Sequence, residues 1–192
     1  MNVIETVHLV LLPVTFTNET VYGIWNTVAG GNSTLSLPGT SIGSYYPSEM
    51  PSNILEKNIN TKYTNFGPCN YNIFQTAVNC GVQSGLYLTL QRGAILLLGV
   101  RFCTALSLPN RDPITITIEG SNQTSTALML GSSWTLIYNG STGLSSNPGR
   151  GIYGPTQSFS NSIVYSSYRI LVTSIRNVTD AVQYAEVELI GY

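Results

Sequence analysis

The sequence predicts an all-β fold, an antiparallel β-sandwich or jelly roll. Short runs of β-branched and aromatic residues recur along the 192-residue chain, and clusters of Gly, Pro, Asn and Ser separate them. Such runs are typical of strands, and such clusters are typical of turns. No long segment has apolar residues at the 3.6-residue spacing of an amphipathic helix. Many short strands separated by turns favour packed sheets over helical layers.

Five segments carry the clearest strand patterns. In one of them Ile114, Ile116 and Ile118 point to one side, and the polar residues between them point to the other. This alternation predicts one buried and one solvated face. Turn residues follow the strands, as in the Asn139–Gly140 pair. The predicted strands are Gly85–Leu90, Ile114–Glu119, Ser133–Tyr138, Tyr168–Thr173 and Val182–Ile190.

The N-terminal region differs from the rest of the chain, so we divide the chain into a β arm with a spacer, residues 1–44, and a sandwich, residues 45–192. Residues 2–12 form an apolar, strand-like segment, and a stretch rich in Gly and polar residues follows at 29–44. The segment is either the first strand of the sandwich or an arm that adds a strand to a neighbouring subunit. As an arm, its inward-facing side chains are predicted to be Val3, Val7, Leu9 and Leu11.

The low charge content restricts the possible partners. Charged residues make up 9% of the chain, whereas globular domains usually contain about 25%. The net charge is −1 and the pI is about 5.7, and the sequence contains no basic stripe for nucleic acid and no polybasic run for an anionic membrane. A membrane span would need a run of about 18 apolar residues, which the sequence lacks. We expect no nucleic-acid partner and no transmembrane segment.

Sequons and cysteines together indicate a secreted, extracellular protein. Glycans on the five N-x-[ST] sequons would supply the solubility that the few charges do not. In an oxidising compartment two of the three cysteines would pair. We predict a Cys69–Cys80 disulfide, because these residues flank a polar loop, and we expect Cys103 to be a buried small hydrophobic residue. The predicted glycosylation sites are Asn18, Asn32, Asn122, Asn139 and Asn177.

From about Pro51 onward the chain resembles the discoidin-like (coagulation factor 5/8 type C) branch of the galactose-binding-like sandwiches. Four pieces of sequence carry the resemblance, in the family's order, and they extend over about three quarters of the chain. The first piece is similar to the family's opening loop, and the others are similar to its central and closing strands. The pieces are Ile54–Tyr63; Gly85–Leu90 with Leu98–Phe102; Arg111–Ser121; and Tyr168–Val172 with Val182–Gly191.

The resemblance implies a cation beside the opening loop and sugar recognition by loop aromatics and arginines. Oxygen donors suit a structural Ca²⁺, although Glu56 stands where the family usually has Asp and Lys57 where it usually has Gly. Aromatic faces stack on sugars, and guanidinium groups bind hydroxyls. The candidate metal ligands are Glu56, Asn58, Thr61 and Glu186. The candidate sugar-binding residues are Tyr45, Tyr46, Arg111, Arg150 and Tyr153.

Nothing in the sequence points to catalysis. The chain has one histidine, His8, and no G-x-S-x-G, G-x-G-x-x-G or P-loop motif. Glu186 and Glu188 alternate on one predicted strand and are either a glycosidase-like carboxylate pair or part of a solvated strand face. We predict a protein that is not an enzyme.

Two functions fit these observations. The principal hypothesis is a structural protomer whose N-terminal strand completes the sandwich of the next copy, which gives a head-to-tail homopolymer, a filament. The alternative is a monomeric, lectin-like adhesion module that binds glycans through loops at one end of the sandwich. The apolar arm and the low charge favour the filament, and the family resemblance favours the lectin.

Overall fold

The computed structural model describes residues 12–14, 16 and 19–192, and it confirms the all-β sandwich. Strands and short 3-10 helices form the regular structure of this part, which contains no α-helix. No helix there has the length and hydrophobicity that a membrane span requires. The largest sheet, the six-stranded sheet, is antiparallel. In spatial order it consists of β10 (Thr135–Ser141), β9 (Pro113–Ser121), β12 (Ser167–Ile175), β7 (Ser84–Thr89), β2 (Thr20–Trp25) and β3 (Thr34–Leu35).

Two four-stranded sheets complete the sandwich. In the β8–β14 sheet the antiparallel order is β1 (Leu12–Pro13), β14 (Glu186–Gly191), β8 (Leu97–Cys103) and β11 (Gln157–Ser158). In the β6–β13 sheet the order is β13 (Val182–Tyr184), β6 (Tyr63–Asn65), β5 (Ser44–Tyr45) and β4 (Leu37–Pro38), with β4 and β5 parallel. Short 3-10 helices lie at Pro51–Leu55, Tyr71–Ile73, Pro109–Arg111, Ser125–Met129 and Gly131–Ser133.

One hydrophobic core fills the space between the sheets. Each sheet contributes alternate side chains to it, because neighbouring residues of a strand point to opposite faces. The isoleucine pattern of β9 behaves as predicted, with Ile116 and Ile118 fully buried in this core. The β8–β14 sheet contributes Val100 and Phe102, and the β6–β13 sheet contributes Tyr184.

The other face of β9 is not solvated, so this part of the sequence prediction is wrong. Thr117 is 4% exposed and Glu119 is fully buried. The physical reason is that two distant segments, residues 26–33 and 124–134, fold over the outer face of the six-stranded sheet. We call these two segments the cover.

A second apolar cluster lies beneath the cover. Ile24, Tyr87 and Leu171 project from the outer face of the sheet, and Leu128 and Trp134 project from the cover. The indole N–H of Trp134 donates to the carbonyl of Leu128 at 2.9 Å, so its polar atom is satisfied inside the cluster. Trp134 is therefore a packing residue.

The described part of residues 1–44 belongs to the sandwich. β2 pairs with β7 inside the six-stranded sheet, and β3 and β4 each pair with another strand of the same chain. β1, at Leu12–Pro13, pairs with β14 of its own chain. The proposed boundary at residue 44 therefore falls inside β5, which pairs with β4, and not between two separate sheets. The predicted arm contacts at Val3, Val7, Leu9 and Leu11 lie outside the described residues.

A disulfide closes the long loop between β6 and β7. Cys69 and Cys80 are joined, with their Cα atoms 5.2 Å apart. The next residue, Gly81, has a φ of 77° and lies against β13, where a Cβ atom would be 2.2 Å from the backbone nitrogen of Val182. Only glycine adopts this conformation at such close approach without strain. Cys103 is a buried free thiol.

Candidate functional site

An arginine–glutamate pair lies on the outer face of the β8–β14 sheet. Arg101 and Glu188 are register partners, and Nε and Nη2 of Arg101 donate to Oε2 of Glu188 at 2.9 and 2.6 Å. The guanidinium carbon is 4.5 Å from the ring centroid of Tyr153, which a β-bridge to Cys103 holds beside the sheet. The Arg101 side chain is 36% exposed. The charged pair is therefore preorganised and accessible to a ligand.

A pocket of about 320 Å³ adjoins this pair. Arg101 and Glu188 form its charged part, and the edge strand β11 places the hydroxyl of Ser158 beside them, with Thr156 just before it. Ile190 contributes an apolar patch. Within the described part of the chain, Nη1 of Arg101 and Oε1 of Glu188 make no hydrogen bond. The pocket thus offers a free donor and a free acceptor, and Tyr153 packs against the Arg101 guanidinium without lining the pocket itself.

Glu186 lies on the same face of β14, but its surroundings differ. Its side chain is buried, and Oε1 accepts the backbone N–H of Asn58 at 2.7 Å. Burial raises the pKa of Glu186 to about 7; the backbone N–H groups of Asn58 and Lys57 oppose this shift, and the nearby Glu56 carboxylate adds to it. No basic side chain among the described residues donates a hydrogen bond to it. Glu186 is therefore a buried carboxylate without a counter-charge.

The four candidate metal ligands lie together around the loop at residues 56–61. The hydroxyl of Thr61 contacts Oε1 of Glu56 and the carbonyl oxygen of Asn58, the latter at 2.8 Å. Glu186 contacts the same loop by accepting the backbone N–H of Asn58. The donors are all oxygens, as Ca²⁺ prefers, and the uncompensated charge of Glu186 would gain from a nearby cation. The residues fit a hard cation by these criteria, although no group of three or more His, Cys, Asp or Glu suited to a metal occurs among the described residues.

Both candidate sugar-binding arginines form ion pairs between loops. Arg111 donates through Nε and Nη2 to Asp180 at 2.8 and 2.5 Å. Arg150 forms a similar two-bonded pair with Asp112 at 2.8 and 2.6 Å, and Arg176 donates to the same carboxylate. Burial alone would raise the pKa of Asp180, but the hydrogen bond and charge of Arg111 outweigh it and lower the pKa. These contacts hold the loops at one end of the sandwich together.

The two candidate tyrosines of β5 and the following residue pack against other aromatic rings. Tyr45 meets Tyr63 edge-on, with centroids 6.1 Å apart. Tyr46 meets Phe66 and Tyr71 edge-on at 4.9 and 5.4 Å. Burial, followed by the hydrogen bond with Tyr71, raises the pKa of Tyr46 above its ordinary value. Of the five candidate sugar-binding residues, only Tyr153 is part of the Arg101–Glu188 site.

Sequons occupy different environments in the structure. Asn32 lies in the cover, where its Oδ1 accepts the backbone N–H of Gly131 at 2.8 Å, so this side chain already has a packing role. Asn18 lies outside the described residues. Among the described sequons, Asn32, Asn122, Asn139 and Asn177 are all exposed residues.

Comparison with known proteins identifies similar folds. No protein-family model and no curated protein sequence matches the chain. Among solved structures, the family 32 CBM (carbohydrate-binding module) of Clostridium perfringens NanJ, in complex with galactose, matches with a TM-score of 0.59 at 14% identity. The match covers 94% of this chain and 99% of that one.

Two further structures match over nearly their whole length. The module CpGH89CBM32-5 of Clostridium perfringens, in complex with GalNAc-β-1,3-galactose, has a TM-score of 0.54 at 12% identity and covers 89% of this chain and 94% of its own. Chitosan-binding module 1 from a Paenibacillus sp. IK-5 chitosanase/glucanase has a TM-score of 0.54 at 16% identity, covering 94% and 99%. These matches confirm the resemblance to the galactose-binding-like sandwiches at the level of the fold.

Sequence reasoning did not identify Arg101 as a site residue. Arg101 stands in a strand-like run whose partner strand is more than 80 residues away, and only the register between β8 and β14 brings Glu188 opposite it. The alternation of Glu186 and Glu188 was visible, and it does place both on one outer face. The alternation could not show that Arg101 pairs with Glu188 and not with Glu186.

Proposed function

We propose that this protein is a non-catalytic, extracellular carbohydrate-binding module whose ligand site is the pocket beside Arg101, Glu188 and Tyr153. The observation that carries the proposal is the arrangement of this charged pair. Arg101 donates two hydrogen bonds to one oxygen of Glu188, and each partner keeps an unused polar atom. The pair lies next to an aromatic ring and two hydroxyl groups.

This arrangement suits a sugar unit. Each sugar hydroxyl can donate to a carboxylate oxygen and accept from a guanidinium N–H, and charge-assisted hydrogen bonds are the stronger ones. The apolar part of a sugar ring can pack on Leu98 and Ile190, and Tyr153 holds the Arg101 guanidinium in place. Because Arg101 and Glu188 neutralise each other, we expect a neutral sugar to be preferred over an acidic one.

The similar structures support the same class of ligand. One is in complex with galactose, one with GalNAc-β-1,3-galactose, and one is a chitosan-binding module. Extracellular location is supported by the Cys69–Cys80 disulfide and the sequons at exposed asparagines. The self-assembly hypothesis gains no comparable support, because the residues that would form the arm lie outside the described part and β1 pairs within its own chain.

We further propose that Ca²⁺ binds at the loop of residues 56–61, held by oxygens of Glu56, Asn58 and Thr61. When bound, the ion would supply positive charge that offsets the buried carboxylate of Glu186. Glu186 itself would anchor the loop by accepting the N–H of Asn58. The proposed role is structural, since the loop connects the 3-10 helix at Pro51–Leu55 with β6.

The test of the ligand site is binding of galactose and of GalNAc-β-1,3-galactose by isothermal titration calorimetry. We expect Arg101→Ala and Tyr153→Ala to weaken binding at this site at least tenfold, about 1.4 kcal/mol. The matched control is Arg92→Ala, which removes the same charge from an exposed arginine that lines no part of the pocket. A neutral-glycan array extends the search to other sugars.

The outcomes separate clearly. Binding that falls in Arg101→Ala and Tyr153→Ala but not in Arg92→Ala supports the site. Binding with wild-type affinity in both site variants, while both remain folded by circular dichroism, would exclude this pocket. Failure of the wild-type protein to bind either sugar or any glycan on the array would exclude the proposed function.

A further inference from the structure

A second concave surface lies on the opposite side of the molecule. The cover protects only part of the outer face of the six-stranded sheet. A pocket of about 500 Å³ opens between the cover and the strands β2 and β7. We call it the Tyr22 pocket. Its floor is formed by Tyr22 and Tyr87, and the 3-10 helix at Ser125–Met129 forms one wall.

The floor consists of two stacked tyrosines. Tyr22 and Tyr87 are register partners on β2 and β7, with ring centroids 4.9 Å apart and an angle of 23° between the rings. Tyr87 is 5% exposed, whereas Tyr22 is 42% exposed. The stacking fixes the orientation of Tyr22 and leaves part of its ring uncovered. An oriented, uncovered ring is a suitable surface for the apolar face of a sugar.

The hydroxyl of Tyr87 has an unusually weak partner. Its hydrogen bond within the described part of the chain goes to the thioether sulfur of Met129, at 3.8 Å. Buried hydroxyls normally have a strong acceptor, and a thioether is a poor one. Burial raises the pKa of Tyr87 to about 12, so the hydroxyl keeps its proton at neutral pH. Both residues line the pocket, so this proton is available to a ligand oxygen.

Apart from Leu128 and Met129, the remaining described residues of the lining are polar and uncharged. Thr20, Ser125 and Thr126 contribute exposed hydroxyl groups, and Gln91 contributes an exposed amide. Ser125 adopts a left-handed conformation with a φ of 53°, which non-glycine residues adopt rarely and often at ligand sites. Among the described residues, this lining contains no Asp, Glu, Lys, Arg or His. The ligand that matches an aromatic floor and a neutral hydrogen-bonding wall is an uncharged, polyhydroxylated ring.

We propose that the Tyr22 pocket is a second saccharide-binding site, specific for a neutral sugar unit and independent of the Arg101–Glu188 site. The inference rests on the proposed function for the class of ligand, and it adds a second site on the opposite sheet. One copy of the protein would then bind two glycan chains, one on each side. Because the two sites face away from each other, one copy would cross-link two glycan chains rather than bind one surface twice.

The experiment is a titration with galactose and with GalNAc-β-1,3-galactose, followed by backbone amide chemical shifts, so that each site is observed separately. We expect two sets of shifts, one around residue 101 and one around residue 22. Tyr22→Ala should weaken binding at the second site at least tenfold, and Tyr87→Phe, which removes only the hydroxyl, should weaken it severalfold. Leu136→Ala is the matched control, because Leu136 is 52% exposed on the same sheet and lines no part of this pocket.

Each result decides between the two sites. Shifts around residue 22 that persist in Arg101→Ala and disappear in Tyr22→Ala support the proposal, even if the Arg101–Glu188 site binds nothing. Shifts confined to residue 101, with Tyr22→Ala and Tyr87→Phe indistinguishable from wild type, overturn the second site and leave the proposed function intact. No shifts in any region with either sugar overturn both.

Discussion

Two arginine–glutamate pairs, one on each outer face of the sandwich, are built from the same parts. Each joins register partners on neighbouring strands, Arg169 with Glu119 and Arg101 with Glu188. Each guanidinium also lies over an aromatic ring, at 4.8 Å in the first pair and 4.5 Å in the second. The side chains of the first pair are 0% and 1% exposed, and those of the second are 36% and 17% exposed.

The difference between the two pairs comes from the cover. Arg169 also donates to the carbonyl of Gly31 and to the hydroxyl of Ser33, and Glu119 accepts the N–H of Gly30. The buried pair therefore uses most of its hydrogen-bonding groups to fix a loop, while Nη2 of Arg169 is buried without a partner among the described residues. Over the Arg101–Glu188 pair no equivalent loop occurs among the described residues, so part of its capacity is available to a ligand. The same local chemistry is structural in one place and suited to binding in the other.

The largest expected effect is the loss of the buried pair. Arg169→Ala leaves the Glu119 carboxylate buried without a counter-charge, and we expect a loss of about 3–5 kcal/mol in the free energy of unfolding. Urea denaturation measures it. Replacing both partners, Arg169→Met with Glu119→Leu, should lose much less, because no isolated charge remains. Similar losses in the single and double variants would contradict this account.

Glu186, a buried carboxyl group without an arginine partner, should make the free energy of unfolding depend on pH. Because burial raises the pKa of Glu186 to about 7 from its ordinary 4.5, the folded state binds more protons than the unfolded state between these values. Its contribution to stability therefore falls as the pH rises from about 4.5 to about 7, by up to about 3 kcal/mol.

Urea denaturation in EDTA across this pH range measures the slope, and Glu186→Gln should flatten it. Added Ca²⁺ should restore stability at pH 7.5 in the wild-type protein and have a smaller effect in Thr61→Ala, which lacks one proposed ligand. A wild-type slope that Glu186→Gln leaves unchanged would assign the pH dependence to other groups. An unfolding midpoint that Ca²⁺ does not move would exclude the proposed cation.

The cover itself can be loosened without touching a charge. A Cβ atom at Gly131 would lie 2.0 Å from the carbonyl oxygen of Gly30, so Gly131→Ala must push the two cover segments apart. We expect a loss of about 1–3 kcal/mol and a red shift of tryptophan fluorescence as Trp134 becomes exposed to water. Ser132→Ala, at the exposed neighbouring position, is the control and should change neither quantity. An unchanged emission maximum in a destabilised Gly131→Ala would show that the cover stays in place.

The sequence predicted the sheets better than it predicted their outer faces. Alternation in Ile114–Glu119 correctly identified the core side of β9, because burial of one strand face has a period of two residues. It could not show that Glu119 is buried, since the segments that cover it lie elsewhere in the chain. Tyr153 was identified as an aromatic loop residue, but its partner Arg101 depends on a strand register that one sequence does not contain.

The smallest expected effect concerns the exposed pair, Arg101 and Glu188. It tests whether solvent exposure makes this ion pair weaker than the buried one. A double-mutant cycle with Arg101→Ala and Glu188→Gln should give a coupling energy of about 0.2–1 kcal/mol, as for other exposed ion pairs. Raising the salt concentration from 0.05 to 1 M shortens the Debye length from above 10 Å to about 3 Å, so the coupling should shrink. The coupling between Arg169 and Glu119 should hardly change, because salt does not reach that pair. If the Arg101–Glu188 coupling were several kcal/mol and insensitive to salt, this pair would be structural too, and the assignment of its free atoms to a ligand would lose its basis.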